Sequence, residues 1–206
     1  REKVSEVRWG MADFRTRFGR DPVGMWLPET ALDGASLVVL AQDGIAFTIA
    51  APHQVETPPP NGLPGIYRTE GGRTIALFVY DGPLSHGVAF GSLLSDAEKW
   101  AEDMVAPPGD GSPQLVSIAT DGETYGHHHR FGEMALAAVL GMLRKNPHAR
   151  VENFSSFLSR HPPTPEVTLV EPSSWSCSHG VDRWRSACGC KMDPAEETQQ
   201  DWKVEL

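Results

Sequence analysis

Apolar residues recur with two periods along this chain, and each change of period marks an element boundary. Val7, Met11, Phe14 and Phe18 sit three or four residues apart in a charged background, which predicts an amphipathic helix over 4–18 ending near Gly19. A short apolar run, residues 22–27, closes on Pro28-Glu29, so Glu29 stands at the end of an expected strand. Leu32, Ala35, Val39 and Leu40 restore a helical period up to the Asp43-Gly44 turn, and residues 45–50 read as a second strand. Five prolines between Pro52 and Pro64 exclude a helix or an interior strand there and predict a long loop.

A third strand is expected over 74–80, followed by a mostly helical stretch from Leu84 to Met104 and a proline–glycine break at 107–111. Residues 115–119 are apolar and stop abruptly at Asp121-Gly122, the pattern of a buried strand running into a loop. Leu136, Val139, Leu140 and Leu143 then give a helix that Asn146-Pro147 ends. A short helix carrying Phe154, Phe157 and Leu158, and a last strand over 167–170, complete the pattern. Strands alternating with helices predict a parallel α/β layer structure with about five strands. That is too few to close a barrel, so further strands are expected upstream of Arg1. One domain is expected over 1–191, with an acidic polar tail over 192–206.

Composition narrows the function classes. The chain has 206 residues and a formal net charge of −9, which argues against nucleic-acid and anionic-membrane partners. No apolar run has the length of a membrane span. All three cysteines fall between Cys177 and Cys190, an odd and clustered set that favours a metal site or free thiols over a disulfide framework, and a cytoplasmic location.

The richest chemistry lies between Asp121 and His129, where two carboxylates and three imidazoles fall within nine residues. With Glu29 it offers a pair of carboxylates at strand ends, the edge where α/β proteins place chemistry. Glycosidic cleavage needs such a pair: one carboxylic acid protonates the leaving oxygen while the other attacks or stabilises the anomeric carbon. The plainer alternative is that both acids cap helices.

Two segments sharpen the choice. Trp26-Leu27-Pro28-Glu29, preceded by Gly24, resembles the nucleophile motif of the family 57 glycoside hydrolases, and Asp121-Gly-Glu-Thr-Tyr-Gly-His127 is similar to that family's acid/base motif. The likeness is closer still to a branch known mainly as a domain of unknown function, through residues 120–128 and the Ser-Trp-Ser-Cys-x-His-Gly-Val-x-Arg-Trp segment at 174–184. The resemblance implies an α/β fold that is part of an incomplete (β/α)7-type barrel with parallel strands. It also implies a retaining hydrolase or glucanotransferase acting on α-linked glucans, with Glu29 as nucleophile, Asp121 as general acid/base and no cofactor in catalysis. Trp26, Glu123, Tyr125, His127 and Trp175 become candidate substrate-binding residues, since aromatic faces suit sugar rings and His127 is placed to donate to a hydroxyl or a carboxylate. One departure is clear: the family's His-Gln-Pro motif is absent upstream of Glu29, and His53-Gln54 follows it instead. The alternatives from other classes are a metal-dependent, deacetylase-like polysaccharide hydrolase built on Asp121, Glu123 and a histidine, and a non-catalytic glucan-binding protein.

The Cys/His-rich loop at 174–190 is the second constellation. Cys177-x-His179, eight residues, then Cys188-x-Cys190 supply three thiolates and one imidazole, the donor set of a tetrahedral structural zinc site. Reduced cysteines packed in a loop and a redox or iron–sulfur role are the other readings, and His179 is also a candidate for the sugar site. Arg183 and Arg185, on either side of Trp184, are candidates to pair with the carboxylates.

Overall fold

A computed structural model describes residues 2–105, 109 and 111–190. The tail over 192–206 and most of the break at 107–111 lie outside the described residues. The chain divides into two compact units, one of Arg1–Thr57, Ile66–Leu77 and Glu166–Leu206, the other of Pro58–Gly65 and Phe78–Pro165.

The first unit opens with α1, Glu2–Phe18, in which only Val7 is buried. Its link to α2, Gly34–Gln42, is largely ionic: Lys3 Nζ lies 2.6 Å from Asp33 and Arg8 Nε 3.0 Å from Asp43. Asp33 caps α2 by accepting from the Ser36 N–H at 2.7 Å, and Leu37 and Leu40 on this helix are fully buried. Gly44, at φ +86°, makes the left-handed turn that returns the chain to β1, Phe47–Ala50.

Burial opposes ionisation of Asp33, but donation from Lys3 and from the Ser36 hydroxyl and N–H outweighs it, holding the carboxyl below its ordinary value. A depressed folded value means stability that is present above the unfolded value and is lost as pH falls through the folded one. Asp33→Ala is therefore expected to cost about 1–2 kcal/mol at neutral pH. The deficit should shrink in acid, and urea melts of both proteins at the two pH values check it.

The sheet has three strands in the order β1-β3-β2, with β2 at Gly65–Arg68 and β3 at Thr74–Val79. The turn between β2 and β3 is closed by the Thr69 N–H donating to the Arg73 carbonyl at 2.8 Å. So short a connection makes the pair antiparallel, because a parallel pair needs a crossover of a dozen residues or more. The expectation of an all-parallel set is corrected there. β2 itself escapes the pattern, being four residues long directly after the proline-rich loop.

Three expected strands do not form as such. Residues 22–27 join the sheet by one parallel bridge, Gly24 to Phe47; the stretch 167–170 bridges only Val55, outside the sheet, through Leu169, while the preceding Glu166 bridges Ile66 of β2. Residues 115–119 carry no strand at all. They run extended on scattered bonds: Leu115 N–H to Asn61 O at 2.9 Å, Asp81 N–H to Ser117 O at 2.8 Å and Ala119 N–H to Ser85 Oγ at 3.0 Å. Apolar composition is not enough: these segments are only partly buried, and a strand also needs a continuous neighbouring ladder, which they lack.

The second unit contains α3, Gly82–Ala89, α4, Ala97–Asp103, α5, Gly132–Lys145, and α6, Phe154–Arg160. Its core gathers Val88, Trp100, Ala101, Val139 and Leu143. The helical period read over 136–143 is thus the buried face of α5. Asn146 ends the helix and Arg144 and Lys145 occupy its last turn, where cations oppose the negative end of the helix dipole. Among the described residues no helix is long and apolar enough to cross a membrane.

Candidate active site

Glu29 sits in the 3₁₀ turn Pro28–Thr30. Both Glu29 and Thr30 are left-handed, at φ 56° and 50°, a conformation that costs side-chain-bearing residues about 1–3 kcal/mol each and is an outlier for a β-branched one. The surroundings impose it. Thr30 is buried, and its carbonyl accepts from Gln54 Nε2 at 2.7 Å, while the carbonyl of Glu29 accepts from the Trp175 N–H at 3.1 Å. Strain of this kind persists where a side chain has to be presented in one direction.

Here the carboxylate is exposed and borders a cleft of about 330 Å³ together with Lys3, Trp184 and Arg185. Its Oε2 accepts from the Trp175 indole N–H at 3.0 Å and from the Ser176 hydroxyl at 2.6 Å. Two donors on one oxygen fix the rotamer of the carboxylate. The partners of Glu29 are thus an indole and a hydroxyl, not Arg183 or Arg185. Trp26, itself 39% exposed, packs edge-on against Trp175 with ring centroids 5.3 Å apart. The expected residues Trp26, Glu29 and Trp175 are therefore gathered in one place.

Sequence reasoning missed three of the residues that build this turn. Gln54 is fully buried and also donates to Ser173 Oγ at 3.1 Å, while its own Oε1 accepts from the Ala51 N–H at 2.8 Å. The His53 ring Nε2 lies 2.9 Å from the Ser174 carbonyl oxygen. The sequence signals for this pair were its partial likeness to His-Gln-Pro, set aside because the pair follows Glu29, and its place after β1. Ser176 lay inside a quoted motif, but nothing in its spacing indicated that it would bind Glu29.

In the other unit Asp121 opens the 3₁₀ turn Gly122–Thr124, exposed, with its carbonyl accepting from the Thr124 N–H at 3.1 Å. The chain then coils rather than entering a helix at once. The Glu123 carbonyl accepts from the N–H groups of His127 at 3.2 Å and His128 at 2.9 Å, and Gly126 at φ +115° permits the reversal. Tyr125 is held from two sides, its hydroxyl 2.9 Å from Thr120 Oγ1 and its ring stacked on Trp100 at 6.5 Å. His129 points back to the Ala89 carbonyl at 2.8 Å and anchors the coil. Glu123 and His127 stay exposed. A cavity of about 500 Å³ in this unit is lined by residues 114–118, by α4, α5 and α6 and by a polar stretch with His148, Arg150 and Glu152, and by none of Asp121, Glu123, Tyr125 or His127. Asp121, Glu123 and His127 thus lie on the exposed coil, outside that cavity.

Residues 174–190 fold around the third feature. The ligand atoms of Cys177, His179, Cys188 and Cys190 all lie within 4.8 Å of one another. Hydrogen bonding by His179 and Ser178 draws the Cys190 thiol down to about 6.

With this geometry the class of the chain is settled by comparison. The family model for glycosyl hydrolase family 57 matches residues 1–170, and the chain belongs to that family. No curated protein matches it by sequence. Among solved structures it is similar to a 4-alpha-glucanotransferase from Thermococcus litoralis, with 21% identity and a TM-score of 0.63 over 79% of this chain and 26% of that one. An exo-type maltose-forming amylase from Pyrococcus sp. ST04 gives 18% identity and a TM-score of 0.69 over 90% of this chain and 35% of that one. A family 57-type branching enzyme from Pyrococcus horikoshii gives 18% identity and 0.64 over 88% and 45%. These likenesses establish the fold, a mixed α/β arrangement of a small sheet and helices. The chain spans less than half the length of each of these three structures.

Proposed function

We propose that this chain is part of an incomplete (β/α) barrel that cleaves or transfers α-linked glucans with retention of configuration. Glu29 attacks the anomeric carbon while Asp121 protonates the departing oxygen. The resulting glycosyl ester on Glu29 is resolved by water or a sugar hydroxyl that Asp121 deprotonates. The observation that carries this reading is the Glu29 turn: an exposed carboxylate on strained backbone, oriented by the Trp175 N–H and the Ser176 hydroxyl, beside an exposed tryptophan. Trp26 and Trp175 would offer ring faces to the sugar, and Glu123, Tyr125 and His127 would contact it near Asp121. The mechanism requires the two carboxyl groups to approach to about 5–5.5 Å. An oligo- or polysaccharide in the cytoplasm is the substrate this reading assigns, and the three free cysteines agree with that compartment.

Proton NMR of the products from maltooligosaccharides tests the reading. An α-anomer released first, mutarotating afterwards, is the expected result, and a β-anomer released first overturns retention. The deacetylase-like alternative gains no support. Among the described residues the donors that converge on a point are those of the Cys/His group, not Asp121, Glu123 and a histidine.

A further inference from the structure

We propose that Cys177, His179, Cys188 and Cys190 form a tetrahedral site for one zinc-class divalent ion, and that this ion holds Trp175 and Ser176 against the carboxylate of Glu29. The group lies beyond the stretch that matches the family, residues 1–170.

Distances support a single ion. Zinc binds thiolate at about 2.3 Å and imidazole nitrogen at about 2.0–2.1 Å, so a tetrahedron places sulfurs about 3.8 Å apart and sulfur about 3.6 Å from nitrogen. Cys177 Sγ lies 3.9 Å from Cys188 Sγ and 3.7 Å from Cys190 Sγ, and Cys190 Sγ lies 3.4 Å from His179 Nδ1. A disulfide would need sulfurs at about 2.0 Å, and all three cysteines are free. A cluster of several irons would spread its thiolates more widely than four donors within 4.8 Å. Three sulfurs with one imidazole is a donor set that suits zinc and disfavours magnesium or calcium. Each thiol proton still bound leaves to solvent as its metal–sulfur bond forms, and no electron is transferred.

The loop needs such a tie. Its one helical element is the 3₁₀ turn Asp182–Trp184, and the backbone bonds it makes from Cys177 to Ser186 are local, such as Gly180 N–H to Cys177 O and Ser186 N–H to Asp182 O. Residues 188–190 are bound back mainly through their sulfurs and through Arg183, whose Nη2 lies 3.4 Å from the Cys190 carbonyl. Cys177, buried, directly follows the two residues that donate to Glu29. Closing the site on Cys177 therefore limits the motion of Ser176 and Trp175, which are positioning residues. The metal site stands on its own geometry, whereas any consequence for turnover rests on the reading of Glu29 as nucleophile.

Cobalt(II) added to the reduced, metal-free protein is the test. The expected result is about one equivalent bound, with thiolate charge-transfer absorption and tetrahedral visible bands, displaced by zinc. Cys188→Ser should lose those bands, whereas His179→Cys in the parent should keep stoichiometric binding with an all-sulfur spectrum, which separates a ligand role from misfolding. The indole N–H resonance of Trp175 should shift on metal removal while Trp100 in the other unit does not. Failure to bind cobalt, octahedral bands, or a mass showing a Cys–Cys bond would overturn the site. An unmoved Trp175 resonance would overturn its link to Glu29. A protein that binds the ion but leaves glucans untouched contradicts the glycosidase reading alone.

Discussion

Glu29→Gln is expected to lower kcat on α-glucans by about 10⁴-fold, the scale on which the loss of a covalent-catalysis group falls. The amide keeps the size of the carboxylate, and its oxygen still accepts from Trp175 and Ser176, so little else changes. The bonds that hold the turn, Thr30 N–H to Leu27 O and Trp175 N–H to Glu29 O, are backbone bonds that the substitution leaves in place. Thermal unfolding and glucan affinity should therefore match the parent while turnover disappears. If turnover survived, Glu29 would be a binding group, as the non-catalytic reading holds. Glu29→Gly sharpens the case. A left-handed residue with a side chain carries a penalty of about 1–2 kcal/mol that glycine escapes, so this variant should be at least as stable as the parent and equally inactive. Azide should then yield a glycosyl azide of inverted configuration, because a small anion enters where the carboxylate stood.

Asp121→Asn should cost about 10²–10⁴-fold on natural glucans, the usual worth of a general acid/base. On an aryl glycoside, whose leaving group needs no proton, the first step should be nearly unaffected. The second step lacks its base, and the glycosyl ester on Glu29 should accumulate and be visible by mass spectrometry of the intact protein. Equal losses on both substrates, with no adduct, would remove Asp121 from the acid/base role and leave it as the residue that precedes a 3₁₀ turn.

Much of the fold was legible because helices are local. The periods over 4–18 and 136–145 became α1 and α5, and the Asp43-Gly44 and Asn146-Pro147 stops fell where α2 and α5 end. Their hydrogen bonds close within four residues, so the chain carries the whole signal. Strands do not share this property. The apolar runs at 22–27, 115–119 and 167–170 have the composition of strands but lack neighbours along their full length. β2, with half-exposed side chains after five prolines, had no such composition and formed because β3 was there to pair with it.

The site divides in the same way. The motifs around Glu29 and Asp121, and the three cysteines with His179, could be read from the sequence because the chemistry demands those residue types at short spacing. What the sequence determined by itself was thus the inventory: which helices, which candidate carboxylates, which clustered cysteines and histidine. Only the tertiary structure decided how they act. It bent Glu29 and Thr30 into left-handed backbone under the hold of Gln54, turned an indole and a hydroxyl some 146 residues away onto one carboxylate oxygen, and drew Cys177 within 4 Å of Cys188 and Cys190. Each of these contacts closes a loop, from 11 residues for Cys177 and Cys188 to 147 for Glu29 and Ser176, and its energy exists only once the intervening chain has folded.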